Sequence, residues 1–213
     1  MKNKLFVYFI FIIILISLPL RAQTANSILT KVKQKYETLN QICAEFRQTF
    51  HWKMAGETQI TDGKLCTAGG IKFRIEMQDQ TIVCDGVTLW TLSKSNQQVL
   101  VDNAANGKES NPFLKSFIDK YFKNYKAQLL AEETIDGVPH HHLLLTANTE
   151  DEFERSLELW IDKTTQIMRR IKQVDANGND SIYDVIKLNQ LPKLSEQDFK
   201  MVVPEGYETV DLR

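Results

Sequence analysis

Three consecutive histidines, His140-His141-His142, are the residues of this 213-residue chain that most resemble metal ligands. On a β-strand, His140 and His142 would share one face and could hold one ion between them. Zinc sites, however, use three or four protein ligands, so two histidines make a weak site. We therefore favour a solvated strand end, and we expect no metal and no other cofactor.

A second candidate for metal binding is the run Asp175-Ala176-Asn177-Gly178-Asn179-Asp180, which resembles the start of a calcium loop. Its glycine stands at the fourth position, whereas an EF-hand loop has its glycine at the sixth and ends on a bidentate glutamate. Asn-Gly between two apolar runs is instead a strong β-hairpin signal. The sequence therefore predicts a turn.

The cysteines Cys43, Cys66 and Cys84 are the candidate nucleophiles. A single disulfide and three buried thiols both remain open, and no activating base is visibly assembled with any of them. The sequence also contains no phosphate-binding glycine loop, no His-Glu-x-x-His and no Gly-x-Ser-x-Gly motif. We therefore expect a protein that is not an enzyme.

The first 22 residues have the pattern of a secretory signal peptide. Lys2 and Lys4 precede an almost wholly apolar run from Leu5 to Leu18, and Ala22 is a small residue at the expected cleavage point. The alternative is an uncleaved N-terminal anchor, but the apolar run is short for a membrane span. We expect a soluble, secreted domain over residues 23–213. The full chain has 26 basic and 27 acidic residues, and because it has no basic excess we expect no nucleic-acid partner.

The elements that follow are one helix and many short strands. Apolar residues at helical spacing predict a helix over about residues 26–39, and an aromatic stripe after Asn111-Pro112 predicts a second. From Ile42 to Met54 the apolar period is two, which predicts a long first strand with one apolar face. Because no βαβ alternation appears, we expect an antiparallel sheet of about 11 strands. After the strand that begins at Ile42, the expected strands cover residues 57–67, 71–77, 81–84, 88–93, 97–102, 126–135, 138–146, 156–161, 167–174, 180–188 and 199–203.

Several short motifs in this order resemble those of the periplasmic outer-membrane lipoprotein carrier family, the LolA-like proteins. The motifs that carry the resemblance are Cys43-Ala44-Glu45-Phe46-Arg47-Gln48, Gly63-Lys64-Leu65 with Phe73-Arg74, Asp85-Gly86-Val87-Thr88-Leu89-Trp90, Asn111-Pro112-Phe113, and Phe199-Lys200-Met201-Val202-Val203-Pro204-Glu205-Gly206. Each motif is weak by itself, but their shared order and spacing is specific.

The resemblance implies a mainly β fold: a curved, incomplete antiparallel β-barrel with amphipathic helices as a lid over an apolar cavity. It also implies a periplasmic carrier that takes acyl chains of lipoproteins from an inner-membrane ABC transporter and delivers them to the outer membrane, where a receptor is a further possible partner. We expect a monomer. The apolar residues expected to line the cavity or its lid are Phe46, Phe50, Trp52, Phe73, Ile75, Trp90, Phe113, Phe117, Tyr121, Leu157, Leu159 and Ile161.

One departure from the family pattern concerns lid closure. The family usually has a basic turn whose arginine is linked to closure and cargo release, whereas this chain has Thr67-Ala68-Gly69-Gly70. Arg47 and Arg74 are the possible substitutes. The missing arginine keeps open a carrier of another amphiphile, such as a glycolipid or fatty acid. A sensor with the same fold is a separate alternative.

Overall fold

The computed structural model describes residues 17–105 and 115–213. Two α-helices are found in this part of the chain, α1 (Ser17–Thr38) and α2 (Lys115–Asn124), together with a 3₁₀ helix at Glu196–Phe199. The strands, in chain order, are β1 (Gln41–Trp52), β2 (Glu57–Ala68), β3 (Lys72–Met77), β4 (Gln80–Cys84), β5 (Thr88–Ser93), β6 (Gln98–Asn103), β7 (Tyr125–Ile135), β8 (Val138–Ala147), β9 (Glu154–Asp162), β10 (Met168–Asp175), β11 (Asp180–Asn189) and β12 (Glu208–Asp211).

Helix α1 confirms the first predicted helix but begins nine residues earlier, at Ser17. Its apolar residues recur every three or four positions, which places Ala25, Ile28, Leu29 and Val32 on one buried face. Neither helix in the described ranges has the length and hydropathy needed to span a membrane. Residues 1–16 lie outside the described part of the chain, so the signal peptide stays a prediction.

All twelve strands form one sheet in the order β12-β6-β5-β4-β3-β2-β1-β11-β10-β9-β8-β7. Each strand pairs with its neighbours in antiparallel fashion, except that β12 runs parallel to β6. Strands β7 and β12 form the two outer edges, so the sheet stays open. This arrangement confirms the incomplete antiparallel barrel.

The predicted last strand over residues 199–203 is wrong. Phe199 ends the 3₁₀ helix, and the final strand lies further on, at Glu208–Asp211. Between them Pro204 accepts a hydrogen bond from the Tyr207 N–H, and Gly206 adopts φ +82°, which closes a turn. The turn lets the chain run along the open edge of β6, and this adds the parallel pair that the sequence did not predict.

Two hydrophobic clusters lie on the inner face of the sheet, which is the face covered by α1. The helix-covered cluster joins both helices to β7–β10 and consists of Ala25, Ile28, Leu29, Val32, Ile118, Tyr121, Tyr125, Leu143, Leu145, Leu157, Leu159, Ile161, Met168 and Ile171. The open-half cluster lies mainly on β1–β5 and consists of Ala44, Phe46, Leu65, Phe73, Cys84, Ala104 and Val185. Tyr183 packs against both clusters, so the inner face is continuous between them.

Candidate functional site

A groove of about 370 Å³ opens at one end of the open half. Its volume falls in the range of about 300–1,000 Å³ that small-molecule sites occupy. Phe50 and Met77 supply apolar surface, and most of the other side chains are uncharged amides and hydroxyls. The full lining is Gln48, Phe50, Gln59, Ile60, Thr61, Met77, Gln78, Asp79 and Gln80.

The groove exists because β2 is longer than its neighbour β3. Strand β2 pairs with all of β1 from Glu57 to Ala68, but β3 pairs with it only from Gly63 onwards. The residues of β2 from Glu57 to Asp62 therefore border the groove on one side. The turn between β3 and β4 closes the opposite side, so strand length and turn position together shape the opening.

The floor of the groove leads directly into the open-half cluster. Phe46 and Phe50 share the inner face of β1, four residues apart, and Phe46 is only 4% exposed. The Phe46 ring lies over Gly63, where an added Cβ would stand 2.5 Å from the ring Cζ atom. A glycine is therefore required at this position for the ring to approach the sheet.

Half-buried apolar side chains surround this floor. They pack against the open-half cluster without being fully removed from solvent, and they are Ile75, Met77, Ile82, Leu89, Tyr183 and Leu188. No residue of α1, and none of the described side chains of α2, belongs to the cluster. The open half therefore presents apolar surface that an apolar ligand could complete.

The structure separates the sequence-predicted site residues into several places. Phe46, Phe73 and Ile75 come together in the open-half cluster, and Phe50 lines the groove. Tyr121 and the three β9 residues lie instead in the helix-covered cluster; the β9 residues are Leu157, Leu159 and Ile161.

Two tryptophans lie away from the groove floor. Trp52 is 50% exposed at the end of β1. Trp90 is on the opposite, outer face, where it packs against Leu92, Val99 and Val101, as Met201 and Tyr207 also do. Phe113 lies outside the described residues, and Phe117 belongs to α2, but its side chain is not described.

Ion pairs tie α2 to its surroundings. Lys33 of α1 pairs with Asp119 of α2 at 2.5 Å, and Lys120 pairs with Glu154 of β9 at 2.9 Å. The hydrogen bond to Asp119 raises the pKa of Lys33. Burial, aided by the charge of Glu154, raises the pKa of Tyr121 on α2, so its hydroxyl stays neutral where the helix packs against the sheet. Helix α2 is thus held over β7–β10 by charge as well as by apolar packing.

Neither arginine proposed as a substitute for the family's closing residue faces the inner surface. Arg47 donates two hydrogen bonds to Asp62, at 2.7 and 2.9 Å, and this contact lowers the pKa of that carboxyl. Arg74 bonds to Glu76 at 2.6 Å. Arg47 is paired with Asp62 and Arg74 with Cys66, and both pairs lie on the outer face. Neither arginine can therefore pair with a lid on the inner face.

One of the three histidines, His142, lies between two carboxylates on the outer face. His140 and His142 do share that face, as predicted, and His142 lies between Glu133 at 2.7 Å and Glu158 at 2.8 Å. The indole N–H of Trp160 bonds to Glu133 and, with His142, lowers the pKa of that carboxyl against the opposing effect of burial. Within residues 17–105 and 115–213, no three His, Cys, Asp or Glu side chains are grouped as metal ligands.

The remaining chemical candidates have structural roles. Cys43 and Cys66 form a disulfide between directly opposed positions of β1 and β2, and Cys84 is buried, where its Sγ accepts a hydrogen bond from the Gly86 N–H. The predicted turn after Asp175 is confirmed, since its carboxylate accepts the backbone N–H groups of Asn177 and Asn179, and Gly178 adopts φ +77°.

Met77 and Tyr183 are inner-face residues that were not predicted from the sequence. Met77 follows Phe73 and Ile75 with the period of two that a strand imposes, so the signal was present. Tyr183 lies between Ile182 and Asp184 on β11, so the alternation there does not show which face it takes, and its pairing with Gln48 places it on the inner face.

The fold and groove define an open β-sheet binding protein, and comparisons with known proteins identify its family. Residues 37–202 match the family described as outer membrane lipoprotein carrier protein LolA. The match covers more than half of the chain, and the chain therefore belongs to the LolA family.

Individual relatives agree with this assignment. The chain is 24% identical over 189 residues to the outer-membrane lipoprotein carrier protein of Aeromonas salmonicida, covering 86% of this chain and 89% of that protein. It is 26% identical to an uncharacterized protein of Methanocaldococcus jannaschii, covering 85% of this chain and 52% of that protein; this chain thus spans about half of that relative's length. A crystal structure of an uncharacterized conserved protein from Thermus thermophilus aligns with TM-score 0.62 at 14% identity, covering 88% of this chain and 99% of that one, and supports the fold alone.

Proposed function

We propose that the protein is a periplasmic carrier that binds the acyl chains of lipoproteins on the open half of its inner face. The observation that carries the proposal is the groove at Phe50 and Met77, whose floor continues into the half-buried side chains around Phe46. The carrier name of the Aeromonas salmonicida relative supports lipoproteins as the cargo.

The energetics of acyl burial suit this role. Each methylene removed from water contributes about 0.8 kcal/mol. Burial of about ten methylenes along the floor would therefore contribute about 8 kcal/mol, part of which is offset by the cost of association and of ordering the chain. A net affinity well below the gross burial energy suits a carrier that must release its cargo. The uncharged Gln48, Gln59 and Thr61 at the rim suit the ester and amide groups of an acylated cysteine.

In the proposed cycle, an inner-membrane ABC transporter loads the carrier. The outer membrane then accepts the cargo, either directly or through a receptor. Lid closure in this chain uses the ion pairs of α2, Lys33–Asp119 and Lys120–Glu154, because Arg47 and Arg74 face away.

The residues proposed to contact cargo are fewer than the set expected from the sequence. They are the inner-face side chains of the open half, because the helix-covered cluster is already filled by the chain itself. The proposed contacts are the half-buried Phe50 and Ile75, with Met77 added, while Phe46 and Phe73 are buried beneath them and shape the floor.

Displacement of a fluorescent apolar probe from the secreted chain tests the proposal. The competitors are a triacylated lipopeptide, its non-acylated twin and a free fatty acid. We expect the triacylated peptide to displace the probe far better than the other two. Equal displacement by the fatty acid would make the cargo a general amphiphile, and failure of the lipopeptide to displace the probe would contradict the proposal.

A matched pair of variants localises the binding. Phe50→Glu places a charge in the groove, whereas Phe153→Glu places one on a phenylalanine that is 58% exposed elsewhere. We expect Phe50→Glu to weaken lipopeptide binding at least tenfold and Phe153→Glu to leave it unchanged. Equal effects of the two substitutions would argue against the groove.

A further inference from the structure

We propose that the tip of the β1–β2 hairpin is a membrane-contact element that inserts into the interfacial region of a lipid bilayer. The tip is defined by three exposed apolar residues, Trp52, Met54 and Ile60, which are 50%, 87% and 62% exposed. The inference rests on the proposed carrier function, since it identifies where acyl chains would enter and leave.

The hairpin projects from the sheet on the side of β3. Residues Glu57–Asp62 of β2 extend beyond the pairing with β3, and six residues of strand measure about 20 Å. On the other side β1 pairs with β11 as far as His51, and the Lys53 N–H donates to the Asn179 side chain. The tip is therefore supported at its base while its apolar side chains stay in solvent.

Each face of the hairpin has an exposed apolar side chain near the tip, which favours a bilayer over a protein partner. Trp52 has the parity of Phe50 on the inner face, whereas Ile60 is paired with Thr49 and so points to the outer face. A protein groove would contact one of these faces, but the bilayer interface surrounds an inserted tip on all sides. Tryptophan is also the residue type enriched at membrane interfaces.

The tip is continuous with the proposed acyl site. Along the inner face of β1, exposure falls from 50% at Trp52, through the half-buried Phe50, to 4% at Phe46. An acyl chain that leaves a bilayer at Trp52 could therefore follow apolar surface into the groove. This gradient gives the hairpin a role in transfer as well as in contact.

Charge predicts the character of the contact. Lys53 and Glu57 both lie at the tip and are exposed, so the tip carries both signs. Binding should therefore come from apolar burial, with little dependence on salt, and the charged pair should keep the insertion shallow.

The test is flotation of the secreted chain with vesicles of phosphatidylethanolamine and phosphatidylglycerol at a 3:1 ratio. We expect wild-type protein to bind, Trp52→Ser/Met54→Ser to bind at least tenfold more weakly, and binding to change less than twofold between 50 and 500 mM salt. The control Val87→Ser/Leu191→Ser removes two apolar side chains that are 77% and 90% exposed elsewhere, and should bind as wild type does. Circular dichroism and the thermal midpoint confirm that each variant is folded.

Absence of wild-type binding, equal losses in the tip and control variants, or loss of binding at high salt would each overturn the proposal. Probe displacement by lipopeptide without vesicles tests the carrier function separately, so a failure of membrane contact can be told apart from a failure of acyl binding. Met54→Asp should retain lipopeptide binding while it loses vesicle binding several-fold. If wild-type protein bound vesicles through the tip but no lipopeptide, the carrier function alone would fail.

Discussion

The two halves of the inner face use the same alternation of residues for different purposes. On β7–β10, under the helices, Leu143, Leu157 and Ile161 are fully buried. On β1–β4, Ile75, Met77 and Ile82 have the same strand parity but are only half-buried. The helix-covered half therefore completes a hydrophobic core within the chain, whereas the open half leaves apolar surface that a ligand can cover.

This difference shows that an apolar strand face does not by itself mark a ligand site. What distinguishes the halves is the presence of Ala25, Ile28, Leu29 and Val32 of α1 over one of them. Substitutions in the covered half should therefore affect stability, and substitutions in the open half should affect acyl binding. Leu157→Ala and Met77→Ala test that division directly, and two further variants test close packing in the open half and charge on the outer face.

The largest effect is expected for Leu157→Ala in the helix-covered cluster. Leu157 is 0% exposed, and removal of a fully buried leucine side chain costs about 2–5 kcal/mol of unfolding free energy. Urea denaturation measures the loss, and lipopeptide affinity of the folded variant should stay within twofold. A large loss of affinity at nearly unchanged stability would show that acyl chains bind beneath the helices.

Gly63→Ala should have the next largest effect, and it acts in the open half. Its Cβ would meet the Phe46 ring at 2.5 Å, and since Phe46 is buried the ring cannot simply move into solvent. Overpacking of this kind costs about 1–3 kcal/mol. The smaller side chain in Gly63→Ala/Phe46→Leu should restore part of the stability, and a double variant no more stable than Gly63→Ala would show that the two residues are not in contact.

Met77→Ala should lower lipopeptide affinity more than stability, which is the opposite of the result expected for Leu157→Ala. Because Met77 is half-buried, its truncation should cost less unfolding free energy, but it removes surface from the groove floor. We expect lipopeptide affinity to fall about tenfold, which corresponds to about 1.4 kcal/mol. The same probe displacement measures it, and affinity equal to that of wild type would remove Met77 from the site.

The smallest effect concerns pH and lies on the outer face. The Trp160 indole and His142 lower the pKa of Glu133, so its stabilising contribution is present above the unfolded value of about 4.3 and is lost as pH falls through the lower folded value. Glu133 is partly exposed, so the contribution is below about 1 kcal/mol. Wild type should be more stable than Glu133→Gln at pH 7, and this advantage should shrink as pH falls below about 4.3, as urea denaturation at each pH can show; an advantage that did not shrink at acidic pH would contradict this origin.

Much of the fold could be predicted because strand alternation and turn residues are local signals. The Cys43–Cys66 pairing could also have been found, because a turn at Lys53–Gly56 sets Trp52 opposite Glu57 and then Cys43 opposite Cys66. Extension of the first strand to Met54 hid that register. The sequence could not show that Leu157 lies under a helix, because this depends on where α1 packs.

The position of Trp90 illustrates a second limit. Leu89 and Trp90 are adjacent on β5 and must point to opposite faces, but both are apolar, so the sequence does not tell which one faces inward. Trp90 faces outward, where Met201 and Tyr207 of the C-terminal segment cover the same outer-face cluster that it packs against. That cover depends on the turn after Pro204, which redirects a segment predicted to be a strand.

The most direct test of the central claim is methyl NMR of the secreted chain labelled at methionine, with triacylated lipopeptide added. Met77 lies in the groove, Met168 in the helix-covered cluster and Met201 on the outer face, so one spectrum reports all three regions. We predict a large shift for Met77 and little change for Met168 and Met201. A shift of Met168 with Met77 unchanged would place the acyl chains under the helices and contradict binding in the open half.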